Sequence, residues 1–525
     1  MRGKSATYDE VSHIPAGFSY LTTGLIKLNP QHPPLIKEIC ALPLLFLDLK
    51  DSLDRNGLKS LKIGPGFEWA HGKRFLYSRD ADRLLFWARV PAVFLSVGLA
   101  LLVMLWAQRL WGEPAGILAL FLYAFDPTIT AHAQFVTTDV GLAFFATLFL
   151  FVLRNHLESP SGKTLVLCGI SLGCALGAKF SAVILVPIAM AAMIMAAWRE
   201  QREAPEKKEE ITTLLRFSSG DHRATGIKAA CRAFGLMILL AGIVLWAIYM
   251  FPLDPLFYLK GFRAVNQDHG STYPYYLMGE LKPGGWKSYF LIAWVVKTPI
   301  PSLLLLAGSV ILFVRGRRAS RLDEALLIVP ALGFFAGYSF FADDLGVRYL
   351  IPCFPFIFIF AARVASDLVS AKRSVLATLA VLMGWYLIEF SSIFPDHLSY
   401  FNQFAGGYRR GTEWLDDSNV DWGQGLIQLS NYLHKQPGQD YWFCYFGTGE
   451  PRYYGISPSV VSKVVPVSPF AGAKLILSAH CVARARAALA DKARQGGRNW
   501  LAEIAPKAIV GHAYYIYEFP PNPPN

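Results

Sequence analysis

The chain has 525 residues, of which 54% are hydrophobic and 17% are charged, and its mean hydropathy is +0.35. This composition excludes a soluble globular protein and indicates a multi-pass membrane protein. The formal net charge is +12, but many of the basic residues lie between apolar segments, where they signal membrane topology, so nucleic-acid binding is not expected.

Residues 1–84 are predicted to form a polar segment ahead of the membrane domain. They contain the acidic pair Asp9-Glu10 and a rigid His32-Pro33-Pro34 turn. An acidic pair in this place is typical of an enzyme that uses carboxylate chemistry at a membrane face, but it also fits a plain solvated turn. The rest of the chain has to decide between these two interpretations.

Ten apolar segments follow, each a candidate to cross about 30 Å of hydrocarbon as a helix. Together they predict an all-α transmembrane core over residues 85–394. The predicted spans are 85–106, 114–131, 137–153, 164–179, 181–197, 229–251, 289–314, 324–341, 347–366 and 374–394.

The distribution of Lys and Arg predicts the orientation of these spans. Basic residues are concentrated in the connections 198–228 and 315–321 and at Lys372-Arg373, which marks these as cytoplasmic. The short connections 132–136 and 342–346 contain no Lys or Arg and are expected to face outward. By alternation, the outer face also carries residues 1–84, 252–288 and 395–525.

An external segment of this length normally needs a signal sequence or a signal-anchor helix to cross the membrane. The opening residues MRGKSATYDE contain no apolar stretch. We therefore expect a further membrane helix upstream of the printed sequence. It would raise the number of spans to eleven and place the N-terminus in the cytoplasm.

Residues 395–525 are predicted to form a small α/β domain outside the membrane. Strand-like runs occur at 441–447, 462–467, 474–479 and 513–519, with a helical stretch at 482–495. Seven cysteines are too few for a disulfide scaffold. Cys444 and Cys481 both fall in this domain, so either a bridge or two free thiols fits the sequence.

Ionisable side chains near a bilayer are costly and therefore mark candidate functional residues. On the outer face they combine carboxylates with cations. Such a set suits a reaction in which a base deprotonates a hydroxyl while cations hold a phosphate leaving group. The candidates are Asp9, Glu10, His32, Lys37, Arg89, Asp126, His132, Asp139, Lys179, Lys297 and Arg348.

Structural roles remain open for several of these residues. Arg89 and Lys297 could pair with carboxylates for stability alone, and Lys179 could simply mark a short external turn. Asp139 could be a helix N-cap together with Thr137 and Thr138. The histidines lack a recognisable metal-ligand spacing, so no metal cofactor is expected.

Ordered sequence blocks resemble the glycosyltransferase C superfamily, specifically bacterial relatives of dolichyl-phosphate-mannose:protein mannosyltransferases and of the lipid A aminoarabinose transferase. They cover most of the chain. The blocks are DEVSHIPAGFSYLTTG (9–24), HPPLIKEI (32–39), LLFWARVPAV (84–93), DPTITAHAQFVTTD (126–139), GAKFSAV (177–183), YYLMGELKPGGWKSYFLIAWVVKTPIPSL (275–303), VRYLIP (347–352) and YFNQFAGGYRRGTEWLDDSNVDWGQGLIQL (400–429).

This resemblance implies roles for individual residues. Asp9 would be the general base, with Glu10 orienting the acceptor or its loop, and Asp139 is the alternative acid. Arg89 and Arg348 would bind the phosphate of the lipid donor. The remaining assignments are less direct: Lys37, Lys179 and Lys297 as further phosphate ligands, and His32, Pro33, Pro34 and His132 as residues that position the loop or the substrate.

The implied function is inverting transfer of a sugar from a polyprenyl-phosphate carrier to a hydroxyl acceptor at the outer face of a prokaryotic inner membrane. The acceptor could be a protein, a lipid or a glycan. A flippase for lipid-linked saccharides and a non-catalytic subunit of an envelope-assembly complex are the alternatives. The flippase is less favoured because the sequence has no internal repeat of the kind found in many transporters.

Overall fold

The structure of the chain, a computed structural model, describes residues 3–49, 54–60, 66–203, 222–265, 272–316, 319–366, 372–436, 440–466 and 472–519. Much of the basic connection 198–228 and part of the one at 315–321 lie outside the described residues, as does the last residue of the strand predicted at 462–467.

The N-terminal segment is largely helical and buried. Its first helix, which begins directly after Asp9, packs against two neighbouring helices. The helices are α1 (Glu10–Thr23), α2 (Leu35–Ala41), α3 (Arg55–Ser60) and α4 (Phe67–Tyr77).

Two glycines allow this close packing. A Cβ atom at Gly17 would lie 2.1 Å from the carbonyl oxygen of Lys37, and one at Gly72 would lie 1.8 Å from the carbonyl oxygen of Val11. Both distances are far shorter than any non-bonded contact. The backbone of α1 therefore touches α2 and α4 directly, and this contact positions the turn that carries Asp9.

The membrane core consists of α5 to α17. Short 3-10 segments at Phe180–Ile184, Val347–Cys353 and Ala362–Ala365 precede or follow its helices. The helices are α5 (Ala81–Trp111), α6 (Glu113–Ala124), α7 (Pro127–His132), α8 (Thr138–Glu158), α9 (Gly162–Ala178), α10 (Leu185–Glu203), α11 (His222–Ile248), α12 (Phe257–Val265), α13 (Tyr289–Lys297), α14 (Ile300–Val314), α15 (Arg321–Phe341), α16 (Phe354–Ala361) and α17 (Arg373–Ser392).

Among the described residues, seven segments are long and apolar enough to span a membrane. Each coincides with a predicted span, so the multi-pass helical fold class is confirmed. The segments are Ala81–Trp111, Thr138–Glu158, Phe180–Trp198, Gly226–Ile248, Arg321–Phe341, Val347–Ala365 and Arg373–Ser392.

The other three predicted spans differ from continuous long helices. The span predicted at 114–131 ends at Ala124, because the Asp126 side chain caps α7 by accepting a hydrogen bond of 2.9 Å from the amide of Ile129. The span predicted at 289–314 is bent by 111° between α13 and α14, since Pro299 disfavours a helical conformation at Thr298. The helix at 164–179 is present as α9, with 17 residues.

The C-terminal region contains a five-stranded mixed sheet in the order β4-β3-β5-β7-β6. Strands β4, β3 and β5 are parallel, and β7 is antiparallel to both β5 and β6. The strands are β3 (Trp442–Cys444), β4 (Val460–Ser462), β5 (Lys474–Ser478), β6 (Ala508–Val510) and β7 (Tyr514–Glu518).

The predicted strands at 441–447, 474–479 and 513–519 match β3, β5 and β7, and the predicted helix at 482–495 lies within α20 (Ala479–Arg494). Sequence patterns did not reveal β6, which has only three residues, or the hairpin of β1 (Pro274–Leu277) and β2 (Glu280–Pro283). The remaining helices are α18 (Gly411–Trp414), α19 (Leu426–Leu433) and α21 (Trp500–Glu503).

A disulfide joins Cys444 at the end of β3 to Cys481 in the first turn of α20. The N-terminal segment also binds this region. The amide of Tyr8 donates to the carbonyl of Trp422 over 2.9 Å, and the amide of Ser5 donates to the carbonyl of Gln424 over 3.0 Å. Residues next to Asp9 are thereby held against the C-terminal region.

Replacing Gly72 with Ala is expected to lower the free energy of unfolding by about 1–3 kcal/mol, the usual cost of overpacking a tight contact. The added methyl group would force α4 away from Val11. Equilibrium unfolding of the purified protein in detergent measures the change. Gly235→Ala is the matched control, because a Cβ atom there has no neighbouring atom within 4 Å; equal effects at both sites would contradict the packing argument.

Candidate active site

Four of the predicted site residues form one charged cluster. Arg348 donates through Nη1 to Oδ2 of Asp9 at 2.9 Å and lies 3.4 Å from Oδ2 of Asp139. Lys179 donates to Oδ1 of Asp139 at 2.6 Å. The cluster combines two carboxylates with two cations, and its members come from positions separated by up to 339 residues in the chain.

Breaks and ends of helices supply all four side chains. Asp9 is the N-cap of α1, but its carboxylate makes no capping hydrogen bond. Asp139 lies in the first turn of α8, and Lys179 lies at the extended break after α9. Arg348 belongs to the 3-10 segment Val347–Cys353. Residues at such ends can face an open space because the neighbouring backbone does not continue the helix.

The three candidate acids differ in how fully their oxygens are used. Within the described residues, Asp9 accepts a hydrogen bond only on Oδ2, and its side chain is 17% exposed. Asp139 is fully buried, with its two oxygens facing Lys179 and Arg348. Asp9 therefore has a carboxylate oxygen available to a substrate.

Glu10 is occupied by protein contacts. Its two oxygens accept hydrogen bonds of 2.7 Å from Nε and Nη2 of Arg89, and the amides of Thr7 and Val136 donate to them as well. Burial acts to raise the pKa of Glu10, but Arg89 and these amides hold that pKa below its ordinary value. Glu10 is thus an anchored, ionised partner of Arg89.

Arg89 completes this arrangement through its other donors. Nη1 binds the carbonyl of Lys4 at 2.9 Å and Nη2 binds the carbonyl of Ser5 at 2.8 Å. The side chain is almost wholly buried. The guanidinium, which belongs to α5, therefore fastens both the N-terminal segment and α1 to that helix. The structure does not bring Arg89 into the Asp9 cluster.

Two predicted phosphate ligands also serve the loops around the cluster. Lys37 is buried and donates to the carbonyls of Asn29 and His32 at 2.6 and 2.7 Å. Burial lowers its pKa to about 7. Lys297 donates to the carbonyls of Leu398 and Asn419 at 2.8 and 2.6 Å, which joins α13 to the C-terminal region.

The predicted histidines pack around the same centre. The rings of His13 and His32 meet edge to face at 5.1 Å, and the His132 ring meets that of Trp422 at 5.8 Å. Burial, reinforced by His13 and nearby cations, lowers the pKa of His32 well below its ordinary value. Pro33 is buried, and Pro34 is the N-cap of α2.

No group of three His, Cys, Asp or Glu side chains suited to a metal ion occurs in the described ranges. That the reaction needs no metal ion stays a prediction, because only a measurement of activity can test it.

Sequence reasoning missed a polar loop at residues 416–422. The Trp422 ring lies against the guanidinium of Arg348, with 4.3 Å from Cζ to the ring centroid, and Asn419 accepts a hydrogen bond of 2.9 Å from the amide of Val347. The sequence feature that could have revealed this loop is the polar string DDSNVDW, which follows the last predicted span. It contributes to the family resemblance, but no residue of it was predicted to belong to the site.

Replacing Glu10 with Gln is expected to reduce the free energy of unfolding by about 3–5 kcal/mol, because the charge of Arg89 would stay buried without a counter-ion. Equilibrium unfolding in detergent measures this loss. Asp491→Asn removes the carboxylate of an exposed pair with Arg494 and should leave stability nearly unchanged. A Glu10→Gln protein as stable as this control would show that the buried pair does not anchor α1.

Comparison with known proteins gives one family match and several similar folds. The family model described as dolichyl-phosphate-mannose-protein mannosyltransferase matches residues 82–214. A search of curated protein sequences finds no match to the chain.

The solved structures with similar folds are distant in sequence. ArnT from Cupriavidus metallidurans in the apo state has 13% identity and a TM-score of 0.45, with 98% of this chain and 94% of that chain covered. The same protein bound to undecaprenyl phosphate has 12% identity, a TM-score of 0.44 and the same coverage. The apo oligosaccharyltransferase from Archaeoglobus fulgidus has 13% identity and a TM-score of 0.42, covering 86% of this chain and 60% of that one.

The resemblance to the glycosyltransferase C superfamily that the motifs indicated is confirmed by the family model over residues 82–214.

Proposed function

We propose that this protein is a membrane glycosyltransferase that moves a sugar from a polyprenyl-phosphate carrier to a hydroxyl acceptor, with Asp9 as the general base. The observation that carries the proposal is the pairing of Asp9 with Arg348. Among the described residues, one carboxylate oxygen of Asp9 accepts no hydrogen bond. Arg348 uses only its Nη1 atom as a hydrogen-bond donor to these residues. A carboxylate that can act as a base and a guanidinium that can bind an anion are therefore neighbours.

Arg348 and Lys179 are the cations best suited to the donor phosphate. Nε of Arg348 is buried without a hydrogen-bond partner among the described residues, so a phosphate oxygen could satisfy it. Lys179 lies in the same cluster, held by Asp139. Arg89 is given a positioning role, because several of its N–H groups already bind Glu10 and backbone carbonyls.

The proposed reaction is a single inverting displacement. Asp9 accepts the proton of the acceptor hydroxyl, whose oxygen forms a bond to the anomeric carbon. The bond from that carbon to the phosphate oxygen breaks, and its electron pair leaves with the lipid phosphate. Arg348 and Lys179 would stabilise the charge of this leaving group by preorganised electrostatics.

The family match supports a lipid-phosphate sugar as donor, since the matching model is named for a transferase that uses dolichyl-phosphate-mannose. The acceptor could be a protein, as in that name, or a lipid or glycan. A flippase and a scaffold subunit remain the alternatives. Purified protein in liposomes, given radiolabelled polyprenyl-phosphate sugar and cell extract, separates them: label transferred to an acceptor indicates the enzyme, and movement across the bilayer without transfer indicates the flippase.

The site and the C-terminal region are expected to lie outside the cytoplasm. Reporter fusions after residues 212 and 319 should give a cytoplasmic signal, and a fusion at residue 430 should give an external one, because basic connections remain in the cytoplasm. Residue 212 lies outside the described residues. A cytoplasmic signal at 430 would overturn this orientation.

Asp9→Asn should lower the transfer rate by roughly 10²–10⁴-fold, because an amide keeps the shape of the carboxylate but cannot accept the hydroxyl proton. Transfer of radiolabelled sugar measures the rate, and binding of the lipid donor should persist. Asp491→Asn, a change at a surface carboxylate that is 62% exposed, is the control. A variant at Asp9 with near wild-type turnover would make Asp139 the candidate base.

Arg348→Lys should raise the KM for the lipid donor although the charge is kept, because an ammonium cannot offer paired donors to a phosphate. Activity should also survive treatment with EDTA, since the two cations would replace a divalent ion. Activity that is lost on chelation and restored by Mg²⁺ or Mn²⁺ would give the acids a metal-binding role instead.

A further inference from the structure

The loop at residues 416–422, here called the acidic loop, is fastened to the segment that carries Arg348. The hydroxyl of Ser418 donates to the carbonyl of Leu345 at 2.7 Å, and Asn419 accepts from the amide of Val347 at 2.9 Å. Trp422 then covers the guanidinium of Arg348. The C-terminal region thereby supplies one wall of the candidate active site.

Asp417 of the acidic loop has an unusual backbone. Its φ is +53°, a left-handed conformation that Asp and Asn adopt more readily than most other residues with a side chain. Its amide donates to Nδ1 of His480 at 3.1 Å, and its Oδ1 accepts from the amide of Ser418 at 2.7 Å. Within the described residues, Oδ2 accepts no hydrogen bond.

Asp417 is buried and directly precedes Ser418, whose hydroxyl holds the loop to the segment before Arg348. Burial raises the pKa of Asp417, and the hydrogen bond from the amide of Ser418 and the charge of Arg348 oppose that rise. In the proposed reaction the sugar lies between the phosphate at Arg348 and the acceptor hydroxyl at Asp9, and the acidic loop borders this space through the contact of Trp422 with Arg348.

Aromatic rings stand beside this position. Tyr8 stacks on Phe446 with 5.5 Å between ring centroids, and Phe446 stacks on His480 at 3.8 Å. A carboxylate oxygen that can accept hydrogen bonds, set among aromatic faces, suits a ring that carries several hydroxyl or amino groups.

We propose that Asp417 is a specificity-determining residue that binds a hydroxyl or amino group of the donor sugar through its free Oδ2. This inference rests on the proposed function. It assigns to the C-terminal region the recognition of the sugar, separate from the binding of the lipid phosphate by the membrane core.

Two substitutions can remove the carboxylate without forcing the backbone to change. Asn tolerates the left-handed conformation better than most residues, and Gly adopts it freely. Asp417→Asn and Asp417→Gly should therefore fold. Asp491→Asn is the control, because it removes a carboxylate of the same C-terminal region that is 62% exposed and pairs only at the surface with Arg494.

The experiment measures binding of the full-length protein in detergent to two kinds of probe. One is bare undecaprenyl phosphate, and the other is undecaprenyl phosphate linked to mannose, glucose or aminoarabinose. For the linked sugar that the wild type binds best, both Asp417 variants should bind roughly 10- to 100-fold more weakly, the effect of losing a hydrogen bond to a charged group. Their affinity for the bare lipid, and every affinity of Asp491→Asn, should stay unchanged.

Two results would overturn the inference. Unchanged affinity of the Asp417 variants for the sugar-linked lipid would mean that Asp417 does not contact the sugar. An equal loss for both kinds of probe would mean that it supports the phosphate site or the fold. If the wild type bound neither probe, the proposed function itself would fail, so the two failures can be told apart.

Discussion

The geometry of the candidate active site depends on the buried ion pair of Glu10 and Arg89. Two charges removed from water are tolerated only when each is closely paired and its remaining groups are hydrogen-bonded. Here the carboxylate also receives backbone amides, and the guanidinium also binds backbone carbonyls. Because this network fixes the first turn of α1, Asp9 is held at the N-cap with its own carboxylate left outside the network.

Adjacent acids in the chain therefore take different tasks. Both carboxylate oxygens of Glu10 are hydrogen-bonded and hold the turn in place. Asp9 instead has a partly exposed carboxylate beside Arg348. The cluster of Asp9, Asp139, Lys179 and Arg348 has equal numbers of acids and cations. This balance allows charged groups to stay in a poorly hydrated site. It also leaves Nε of Arg348 without a hydrogen-bond partner among the described residues.

The C-terminal region is tied to the membrane core at several points around this cluster. Lys297 of α13 binds the carbonyl of Asn419, and Trp422 lies on Arg348. Backbone hydrogen bonds also join Tyr8 to Trp422. Under the proposed function, the core would bind the donor phosphate while the acidic loop would contact the sugar, and loops accept sequence changes more readily than packed helices.

The sequence by itself determined the membrane class, the positions of most apolar helices, most strands of the C-terminal sheet and a resemblance to a glycosyltransferase superfamily, because hydropathy, strand periodicity and motif order are local properties. The sequence also identified Asp9, Asp139, Lys179 and Arg348 as candidate functional residues, because ionisable side chains near a bilayer are costly. It could not distinguish Arg348 from Arg89, since both are arginines in apolar segments. Only the tertiary structure decided that Arg89 is enclosed by Glu10 and backbone carbonyls, that Arg348 faces Asp9, and that the acidic loop is fastened beside Arg348. Each of these arrangements depends on contacts between distant parts of the chain.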